Sequence, residues 1–340
     1  MQSNMDATKI QYIEKISIHH ESAFPSSVYS IIQLDNGIVA LGLSNSEIYF
    51  YSQNNLKHPY FSIELDTDPV HTMIQLSPEL ILCSSGKPAL YLLTESKAKR
   101  GYYDKKDKLD TNNSLIKQVN KILLLLNDNF ITGDYKFISL WNLKGKKVKL
   151  LKQIKVGFPV MDILNLKDNI AVCAVPQKQS LLFFDTEKLV QKYEIQNIKF
   201  LTEIYSNNLL AKLQKNMLFI GGCIGGVYLI NLKNKQLVAN VALKYKDEVI
   251  TSIHKMDNGC LVCGVSALVE NDEMNNNEGI KYKICSDLVQ YKYDGKSFYE
   301  VCRKSLVHDD FIRSVIEVVN HMGISEIGTI SFDRTFKVWD

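Results

Sequence analysis

The sequence predicts an all-β protein, and three observations support this prediction. First, Val, Ile, Leu, Tyr and Phe occur in short runs separated by Asn, Asp, Gly and Lys, which is the pattern of many short strands joined by turns. Second, no long stretch repeats its apolar residues at the spacing of a helix. Third, two sequence features recur at intervals in the mid-forties, which predicts repeated units of about four strands each.

The first recurring feature opens each unit with an apolar residue, a variable residue, a Ser, Thr or Asp, and another apolar residue. It occurs as VYSI (28–31), VHTM (70–73), VMDI (160–163), ITSI (250–253) and IRSV (312–315). The second feature is a large apolar residue that ends a strand before a small or polar one. It is found at Tyr51, Leu93, Trp141, Phe184, Ile230, Tyr293 and Trp339.

The second feature gives intervals of 42 to 48 residues, with one exception of 63. The long interval contains residues 266–283, which are polar and rich in Asn and Glu. Such a composition cannot bury enough apolar surface to fold by itself, so we expect a poorly ordered inserted loop there.

A repeat of this length whose strands close on Trp-Asp resembles the WD-repeat β-propeller. The last copy, HDDFIRSV…TISFDRTFKVWD, carries the resemblance best. The resemblance implies that His308, Asp333 and Trp339 form a buried hydrogen-bonded network. Either Thr329 or Ser331 would supply its hydroxyl group. Only this repeat can hold the full network, because the place of the histidine is taken in the other clear repeats by Phe24, Asp66, Val156 and Lys246.

The resemblance implies one domain over residues 1–340, a divergent seven-bladed β-propeller of four-stranded antiparallel blades. The blades are expected near 28–66, 70–117, 119–156, 158–197, 205–246, 249–305 and 311–340. Trp339 would close the third strand of the last blade, which leaves that blade without an outermost strand. Residues 10–19 show much of the alternation of a half-buried strand, so we predict that they pair beside residues 335–340 and close the ring.

The composition sets limits on the compartment and on membrane partners. The chain is 46% hydrophobic and 23% charged, which is ordinary for a globular protein. Its longest apolar run, ILLLL (122–126), is far shorter than the ~18 residues that span a bilayer. The seven cysteines are scattered through strand-like sequence, which favours buried thiols in a reducing compartment over a disulfide framework. We therefore expect a cytoplasmic protein with no membrane partner.

Two short motifs invite a chemical interpretation that their context does not favour. GGCIGG (221–226) has the glycines of a phosphate-binding loop, but two predicted strands follow it where such a loop needs a helix. A tight hairpin turn explains these glycines better. CLVC (260–263) has the spacing of half a zinc site, but Cys285 and Cys302 do not form a second close pair, so buried thiols are expected.

The sequence contains no nucleophile, Walker or paired-histidine motif. We therefore expect a protein that is not an enzyme and that has no cofactor and no catalytic or metal-ligating residues.

Positive charge is concentrated in residues 97–155, which hold 15 Lys and Arg and 5 Asp, against a net charge of +3 for the whole chain. The basic flank consists of Lys97, Lys99, Arg100, Lys105, Lys106, Lys146, Lys147 and Lys149. Tyr102 and Tyr103 lie among these residues, so the flank suits a nucleic-acid backbone with stacked bases, or an acidic protein surface. A solvated, non-specific surface is the alternative, since lysines also protect the edge of an outer strand.

Propellers that this chain resembles bind peptides on a rim formed where the innermost strands begin. The corresponding rim in this sequence consists of Tyr29, His71, Met161, Thr251 and Arg313, with Pro69, Pro159 and Phe311 just before them. Tyr, Met, Phe and Arg are enriched at protein interfaces, which favours this interpretation. The alternative is that several of these side chains only pack against the channel wall.

These observations favour a binding function. The first hypothesis is a non-catalytic protein–protein interaction scaffold, a subunit of a larger multiprotein assembly. The second is an RNA- or RNP-associated propeller that binds through the basic flank of blades 2 and 3. The third is an enzyme with an active site in the channel. The fold alone does not decide among them.

Overall fold

Seven antiparallel sheets arranged in a ring make up the protein. The computed structural model describes residues 18–340, apart from 53, 67–68, 112–117, 146, 168, 202–207, 214–215, 224–225, 244–246, 257, 271–281 and 296. Each sheet has four strands, and the innermost strand of each contacts that of the next until the last contacts the first. This arrangement confirms the predicted all-β, seven-bladed β-propeller.

Strands are numbered in chain order, and within blades 1 to 6 they run from the channel outwards. Blade 1 contains β2 (Val28–Gln33), β3 (Val39–Leu43), β4 (Glu47–Tyr51) and β5 (Phe61–Glu64). Blade 2 contains β6 (Val70–Ser77), β7 (Leu80–Ser85), β8 (Leu90–Glu95) and β9 (Tyr103–Lys108). Blade 3 contains β10 (Val119–Leu124), β11 (Asn129–Asp134), β12 (Phe137–Lys144) and β13 (Lys147–Lys155).

The remaining blades follow the same order. Blade 4 contains β14 (Asp162–Lys167), β15 (Ile170–Val175), β16 (Ser180–Asp185) and β17 (Val190–Gln196), with a 3-10 turn at Pro176–Lys178. Blade 5 contains β18 (Leu210–Lys212), β19 (Met217–Ile220), β20 (Gly226–Asn231) and β21 (Gln236–Ala242). Blade 6 contains β22 (Val249–Lys255), β23 (Leu261–Glu270), β24 (Tyr282–Tyr293) and β25 (Phe298–His308). Blade 7 contains β26 (Ile312–Val319), β27 (Ser325–Ser331), β28 (Thr335–Trp339) and, outermost, β1 (Ile18–Ala23).

The strand β1 closes the ring from the other end of the chain. It pairs antiparallel with β28, with Glu21 opposite Lys337 and Ala23 opposite Thr335. The Lys337 Nζ lies 3.4 Å from the Glu21 Oε1, which adds an ion pair to the ladder. An N-terminal closing strand is therefore confirmed. Of the predicted segment 10–19, residues 10–17 lie outside the described residues, and the strand extends further towards blade 1 than expected.

The apolar residue that opens each unit explains how neighbouring blades dock. Val70 of blade 2 packs on Gly42 of blade 1, where an added Cβ would lie 2.7 Å from the Val70 Cγ1. Ile312 of blade 7 packs on Gly264 of blade 6 in the same way, with an added Cβ only 2.6 Å from the Ile312 Cγ2. Such distances leave no room for a side chain, so glycine is required where the innermost strand of the next blade approaches.

The network implied by the last repeat is present, and Thr329 is its hydroxyl member. The His308 Nδ1 lies 2.8 Å from the Asp333 Oδ2, and the His308 Nε2 lies 2.8 Å from the Thr329 Oγ1. The Trp339 Nε1 donates to the same Thr329 Oγ1 at 2.9 Å. Burial lowers the pKa of His308, because the charged imidazolium is poorly solvated there. A neutral imidazole that donates to Asp333 and accepts from Thr329 satisfies every one of these bonds.

Blade 3 holds half of the same arrangement. The Trp141 Nε1 donates to the Thr132 Oγ1 at 2.9 Å, as Trp339 does to its threonine. The position of the histidine is occupied by Val156, which packs against an apolar cluster between blades 3 and 4. Blade 3 therefore has the hydrogen bond between the indole and the threonine but no imidazole beside it.

Blade 6 differs from the expected pattern at the predicted insertion. The strands β23 and β24 remain paired as far as Glu270 opposite Tyr282, so both ends of the expected loop 266–283 are ladder strands. Residues 271–281 between them lie outside the described residues. The outermost strand β25 also runs to His308, past the expected end of the blade at 305.

Candidate functional site: the channel mouth

In five of the seven blades the innermost strand starts with a β-bulge, and these bulges determine which side chains surround the channel mouth. The ladder between the first two strands of a blade skips one residue in blades 1, 2, 3, 6 and 7. The skipped residues are Tyr29, His71, Asn120, Thr251 and Arg313. A bulge redirects its side chain away from the regular alternation of a strand, and bulges are common beside functional sites.

Arg313 lies at the centre of a cluster that joins blades 7, 1 and 2. Its Cζ is 5.3 Å from the centre of the Tyr29 ring and 5.7 Å from that of Phe332, which are cation–π distances. The Tyr29 ring also meets the His71 and Phe332 rings edge-on, each at 5.3 Å between centres. The Arg313 Nε donates to the Tyr29 carbonyl at 3.3 Å. These contacts hold Tyr29 in one orientation at the mouth.

Burial sets the charges in this cluster. Arg313 is only 3% exposed, and desolvation lowers its pKa to about 10, so it remains a cation at neutral pH. His71 is 6% exposed, and burial, followed by the nearby charge of Arg313, lowers its pKa to about 3, although a hydrogen bond with Gln118 opposes the shift. The cluster therefore contains one buried cation beside a neutral imidazole.

Asn120 is the bulged residue of blade 3, and it bonds to blade 4. Its Oδ1 accepts a hydrogen bond from the Gln118 Nε2 at 3.2 Å, and its Nδ2 donates to the Val160 carbonyl at 3.1 Å. The same amide lies 3.7 Å from the Met161 Sδ. The sequence pattern does not include Asn120, because VNKI (119–122) has Lys121 where the other units have Ser, Thr or Asp. Asn120 directly follows the apolar residue that opens its unit, as the other bulged residues do, and this shared position could have identified it.

The predicted rim residues divide into two layers. His71, Thr251 and Arg313 are buried, which is what the channel-wall alternative expects of them. Thr251 bonds within its own blade, through its Oγ1 to the Gly264 carbonyl at 3.3 Å. The others are partly exposed, and they are Tyr29, Pro69, Pro159, Met161 and Phe311. The structure thus brings Tyr29, His71 and Arg313 into contact, with buried residues supporting partly exposed ones.

In blades 1, 4 and 6 the polar third residue of the unit start forms a hydrogen bond with the next blade. The Ser30 Oγ donates to the Val70 carbonyl at 2.9 Å, and the Ser252 Oγ accepts from the Val315 N–H at 2.9 Å. Asp162 serves in blade 4, where its Oδ2 accepts from the N–H groups of Leu209 and Leu210 at 2.8 and 2.9 Å. These bonds explain why a small polar residue recurs at this place in the sequence.

A side-chain bridge crosses the channel beneath the mouth. The Lys121 Nζ lies 3.0 Å from the Asp162 Oδ1 and donates to the Asn208 Oδ1 at 2.7 Å. The Asn208 Nδ2 donates in turn to the Ser314 Oγ at 2.9 Å. The bridge therefore runs from blade 3 through blade 5 to blade 7. Lys121 and Ser314 directly follow the bulged residues Asn120 and Arg313, so this polar layer lies deeper in the channel than the rim.

The basic flank lies on the outer strands β9 and β13 of blades 2 and 3, and its charge is unevenly engaged. The Lys106 Nζ binds the Asp66 Oδ1 at 2.6 Å, and the Lys99 Nζ lies 3.6 Å from the centre of the Tyr102 ring. Lys147 and Lys149 are exposed on β13, and Lys97 and Arg100 are exposed near β9. Lys146 and the side chain of Lys105 lie outside the described residues.

The other motifs take structural roles in the part of the chain that the structure describes. Gly221 and Gly222 lie between strands β19 and β20, with no helix after them. Cys260 and Cys263 are buried free thiols, and burial raises the pKa of Cys263. No described cluster of His, Cys, Asp or Glu could hold a metal ion. None of the described helices is long and apolar enough to cross a bilayer.

Acid is expected to destabilise the channel mouth through His71. Its folded pKa of about 3 lies below the ordinary value of 6.5, so the unfolded chain binds a proton that the folded chain does not. Stability therefore falls as the pH drops below about 6.5, by roughly 2–3 kcal/mol between about pH 7 and pH 4.5. Urea unfolding at both pH values measures this loss, and His71→Gln should lose less stability than the unchanged chain. An equal loss in both would contradict the assignment.

Sequence comparison adds no relative to this description. The chain matches no protein-family model, and no curated protein is significantly similar to it. Its function is therefore inferred from the propeller fold and from the geometry of the channel mouth.

Proposed function

We propose that this propeller is a divergent WD-repeat protein and a non-catalytic scaffold that holds partner proteins in a multiprotein assembly. The family assignment is supported by the bonds that join His308, Asp333, Thr329 and Trp339 in blade 7. The chain's buried free cysteines support a cytoplasmic location, where thiols stay reduced.

The observation that carries the proposal is the aromatic cluster at the channel mouth, in which neighbouring residues hold the Tyr29 ring in place. Tyr29 is partly exposed, and its ring is held between Arg313, His71 and Phe332. Binding energy concentrates in such aromatic and Arg residues when they are held in place before the partner arrives, because little side-chain freedom is then lost. Met161 and Phe311 add partly exposed apolar surface along the same rim. A partner segment that enters the channel mouth would bury Tyr29, Met161 and Phe311.

A second candidate function is RNA binding through the basic flank. It is favoured by the exposed Lys147 and Lys149 and by the aromatic surface beside Lys99, where Tyr60 is 42% exposed and lies 4.5 Å from Tyr102 between ring centres. Exposed aromatic rings next to cations suit stacked bases and a phosphate backbone. The engagement of Lys106 with Asp66 weakens this candidate, because it neutralises part of the flank.

The rim variant Tyr29→Ala with Met161→Ala is expected to lose partner proteins in a pull-down from cell extract. Truncating two side chains that would contact the partner should weaken the capture of partner proteins about tenfold or more, which corresponds to roughly 1.4 kcal/mol. The matched control is Leu126→Ala with Met322→Ala, since these residues are 84% and 66% exposed in turns at the opposite end of the innermost strands. The control should capture the same proteins as the unchanged chain.

The same pull-down distinguishes the two candidates when it is repeated with nuclease and at moderate salt. A defined set of proteins that survives both treatments and depends on the rim supports the scaffold. Equal capture by the rim variant and the control would contradict the assignment of the site. Loss of all partners with nuclease or modest salt would favour the basic flank, because phosphate contacts weaken steeply as salt rises.

A further inference from the structure

A column of aromatic rings runs from the interior of the protein to its surface between blades 1 and 2. Tyr103 stacks on Phe50 at 5.5 Å between ring centres, and Phe50 stacks on Phe61 at 4.3 Å. Phe61 stacks in turn on Tyr102 at 4.6 Å, and the Tyr60 ring lies 4.5 Å from that of Tyr102. Tyr103 and Phe50 are buried, whereas Tyr60 is 42% exposed. The buried rings therefore hold the exposed rings in place.

The exposed end of this column lies on the face opposite the channel mouth. Tyr60 directly precedes β5 and Tyr102 directly precedes β9, so both lie where the third strand of a blade turns into the fourth. Because neighbouring strands of a blade are antiparallel, this turn is at the opposite end from the start of the innermost strand. The exposed rings are thus separate from the partner-binding rim.

The ammonium group of Lys99 covers the two outer rings. Its Nζ lies 3.6 Å from the centre of the Tyr102 ring and 5.2 Å from that of the Tyr60 ring, which are cation–π distances. None of the described carboxylates forms an ion pair with this ammonium group. Tyr60 and Tyr102 therefore form an aromatic corner that already holds a cation, supplied by the protein itself.

The shape of the aromatic corner suits a rounded cation better than a flat ring. The planes of Tyr60 and Tyr102 are tilted by 51°, so together they form a concave surface, whereas a nucleobase stacks on a single flat face. A primary ammonium such as that of Lys99 is strongly hydrated and gains little from such an exposed contact. A trimethylammonium group has no N–H to hydrate, and it can bury its methyl groups against both rings.

The loop that carries Lys99 also supplies positive charge for an anionic group. Lys97 and Arg100 are exposed on this loop, which joins β8 to β9. The Tyr102 N–H donates to the Lys99 carbonyl at 3.2 Å, so the loop turns back towards the aromatic corner. These cations repel a ligand that is only positive, and they favour one whose cation is joined to an anion. A phosphate group accepts hydrogen bonds from both Lys and Arg.

We propose that the aromatic corner is a binding site for phosphocholine. The trimethylammonium group replaces the Lys99 ammonium between Tyr60 and Tyr102, and the phosphate binds Lys97 and Arg100. Lys99 thus occupies the place of the ligand in the free protein. This site goes beyond the proposed scaffold function and does not depend on it. It uses the aromatic surface that the RNA candidate also needs, so the test includes an RNA probe.

The first test is isothermal titration of the full chain with phosphocholine and with tetramethylammonium, which has no phosphate. Both should bind saturably, and phosphocholine should bind more tightly at low salt. Tyr60→Leu keeps an apolar side chain but removes the aromatic face, so it should weaken both probes by about fivefold or more. Tyr60→Phe keeps the aromatic face and should bind like the unchanged chain. Thermal midpoints without probe check that each variant folds.

Two matched comparisons separate the roles of the cations. Lys99→Gln vacates the aromatic corner and should strengthen tetramethylammonium binding by about threefold or more. Lys97→Gln removes the same charge from the same loop without vacating the corner, so its effect on tetramethylammonium should be smaller. Lys97→Gln with Arg100→Gln should weaken phosphocholine but not tetramethylammonium, because only phosphocholine carries the phosphate.

The outcomes that would overturn the proposal are specific. They are the absence of saturable phosphocholine binding, unchanged affinity in Tyr60→Leu, or no gain for tetramethylammonium in Lys99→Gln beyond that in Lys97→Gln. Binding of oligouridine without binding of phosphocholine would also overturn it and would favour the RNA candidate. Sedimentation with phosphatidylcholine vesicles then identifies the source of the ligand. Binding to the vesicles assigns the site to a lipid headgroup, and binding of free phosphocholine alone assigns it to a soluble molecule.

Discussion

Deletion of residues 1–23 is expected to abolish the cooperative folding of the whole ring. The deletion removes β1, which pairs with β28 at five positions between Ile18 and Ala23. Strand hydrogen bonds contribute about 1 kcal/mol each, so the loss amounts to several kcal/mol out of a total stability of roughly 5–15 kcal/mol. Residues Thr335–Trp339 would also become an open edge, which favours aggregation.

Circular dichroism and urea unfolding of the truncated chain measure this effect. A synthetic peptide of residues 18–27, added to the truncated chain, should restore β-sheet signal and a cooperative transition, and a scrambled peptide should not. The trans experiment matters because it attributes the effect to strand pairing itself. A truncated chain that unfolds at the same urea concentration as the full chain would show that β1 does not stabilise the ring.

Thr329→Val is expected to be the most destabilising conservative substitution in blade 7. Its Oγ1 accepts from the Trp339 indole and donates to the His308 imidazole, and the residue is fully buried. Valine has nearly the same shape but leaves both partners unpaired in the interior. Each buried unpaired group costs about 1–3 kcal/mol, so the free energy of unfolding should fall by roughly 2–6 kcal/mol.

Blade 3 provides the matched control for this prediction. Thr132 accepts the Trp141 indole at the same distance of 2.9 Å, and among its described bonds there is none to a histidine. Thr132→Val should therefore cost about half as much, roughly 1–3 kcal/mol, in urea unfolding at neutral pH. Equal losses in the two variants would mean that the imidazole bond adds nothing to the stability of blade 7.

The stability of blade 7 should also depend on pH in a defined direction. Burial by itself would raise the pKa of Asp333, but hydrogen bonds from His308, Thr335 and the Asp309 N–H hold it below its ordinary value. A depressed carboxyl pKa contributes stability that is lost as the pH falls. The lowered pKa of His308 acts in the same direction, so acid weakens both members of the pair.

The repeated pattern predicted the blades well because it depends on local physics. At four blade junctions the apolar residue that opens a unit enters the space left by a glycine of the preceding blade, as Val70 does at Gly42. A polar residue follows because it bonds the next blade, as Ser30 does at the Val70 carbonyl. Such requirements recur in several blades, so they leave a period in the sequence. The missing outer strand of blade 7 likewise indicated that the N-terminal end closes the ring.

Other features depend on contacts between residues of different strands or blades, which the sequence pattern does not reveal. Either Thr329 or Ser331 could have completed the network, and the register of β27 against β28 placed Thr329 between the imidazole and the indole. The bridge from Lys121 through Asn208 to Ser314 joins residues that are far apart in the chain. No period marks such residues, because each blade contributes a different one.

The sequence by itself determined the all-β class, the seven repeats and the closure of the ring by an N-terminal strand. These follow from the alternation of apolar residues and from contacts that several blades repeat. The tertiary structure decided which rim residues are buried, which hydroxyl group completes the network of blade 7 and which side chains meet across the channel. The physical reason is that burial and electrostatic potential depend on the summed surroundings of a group, and ring closure brings those surroundings together from the whole length of the chain.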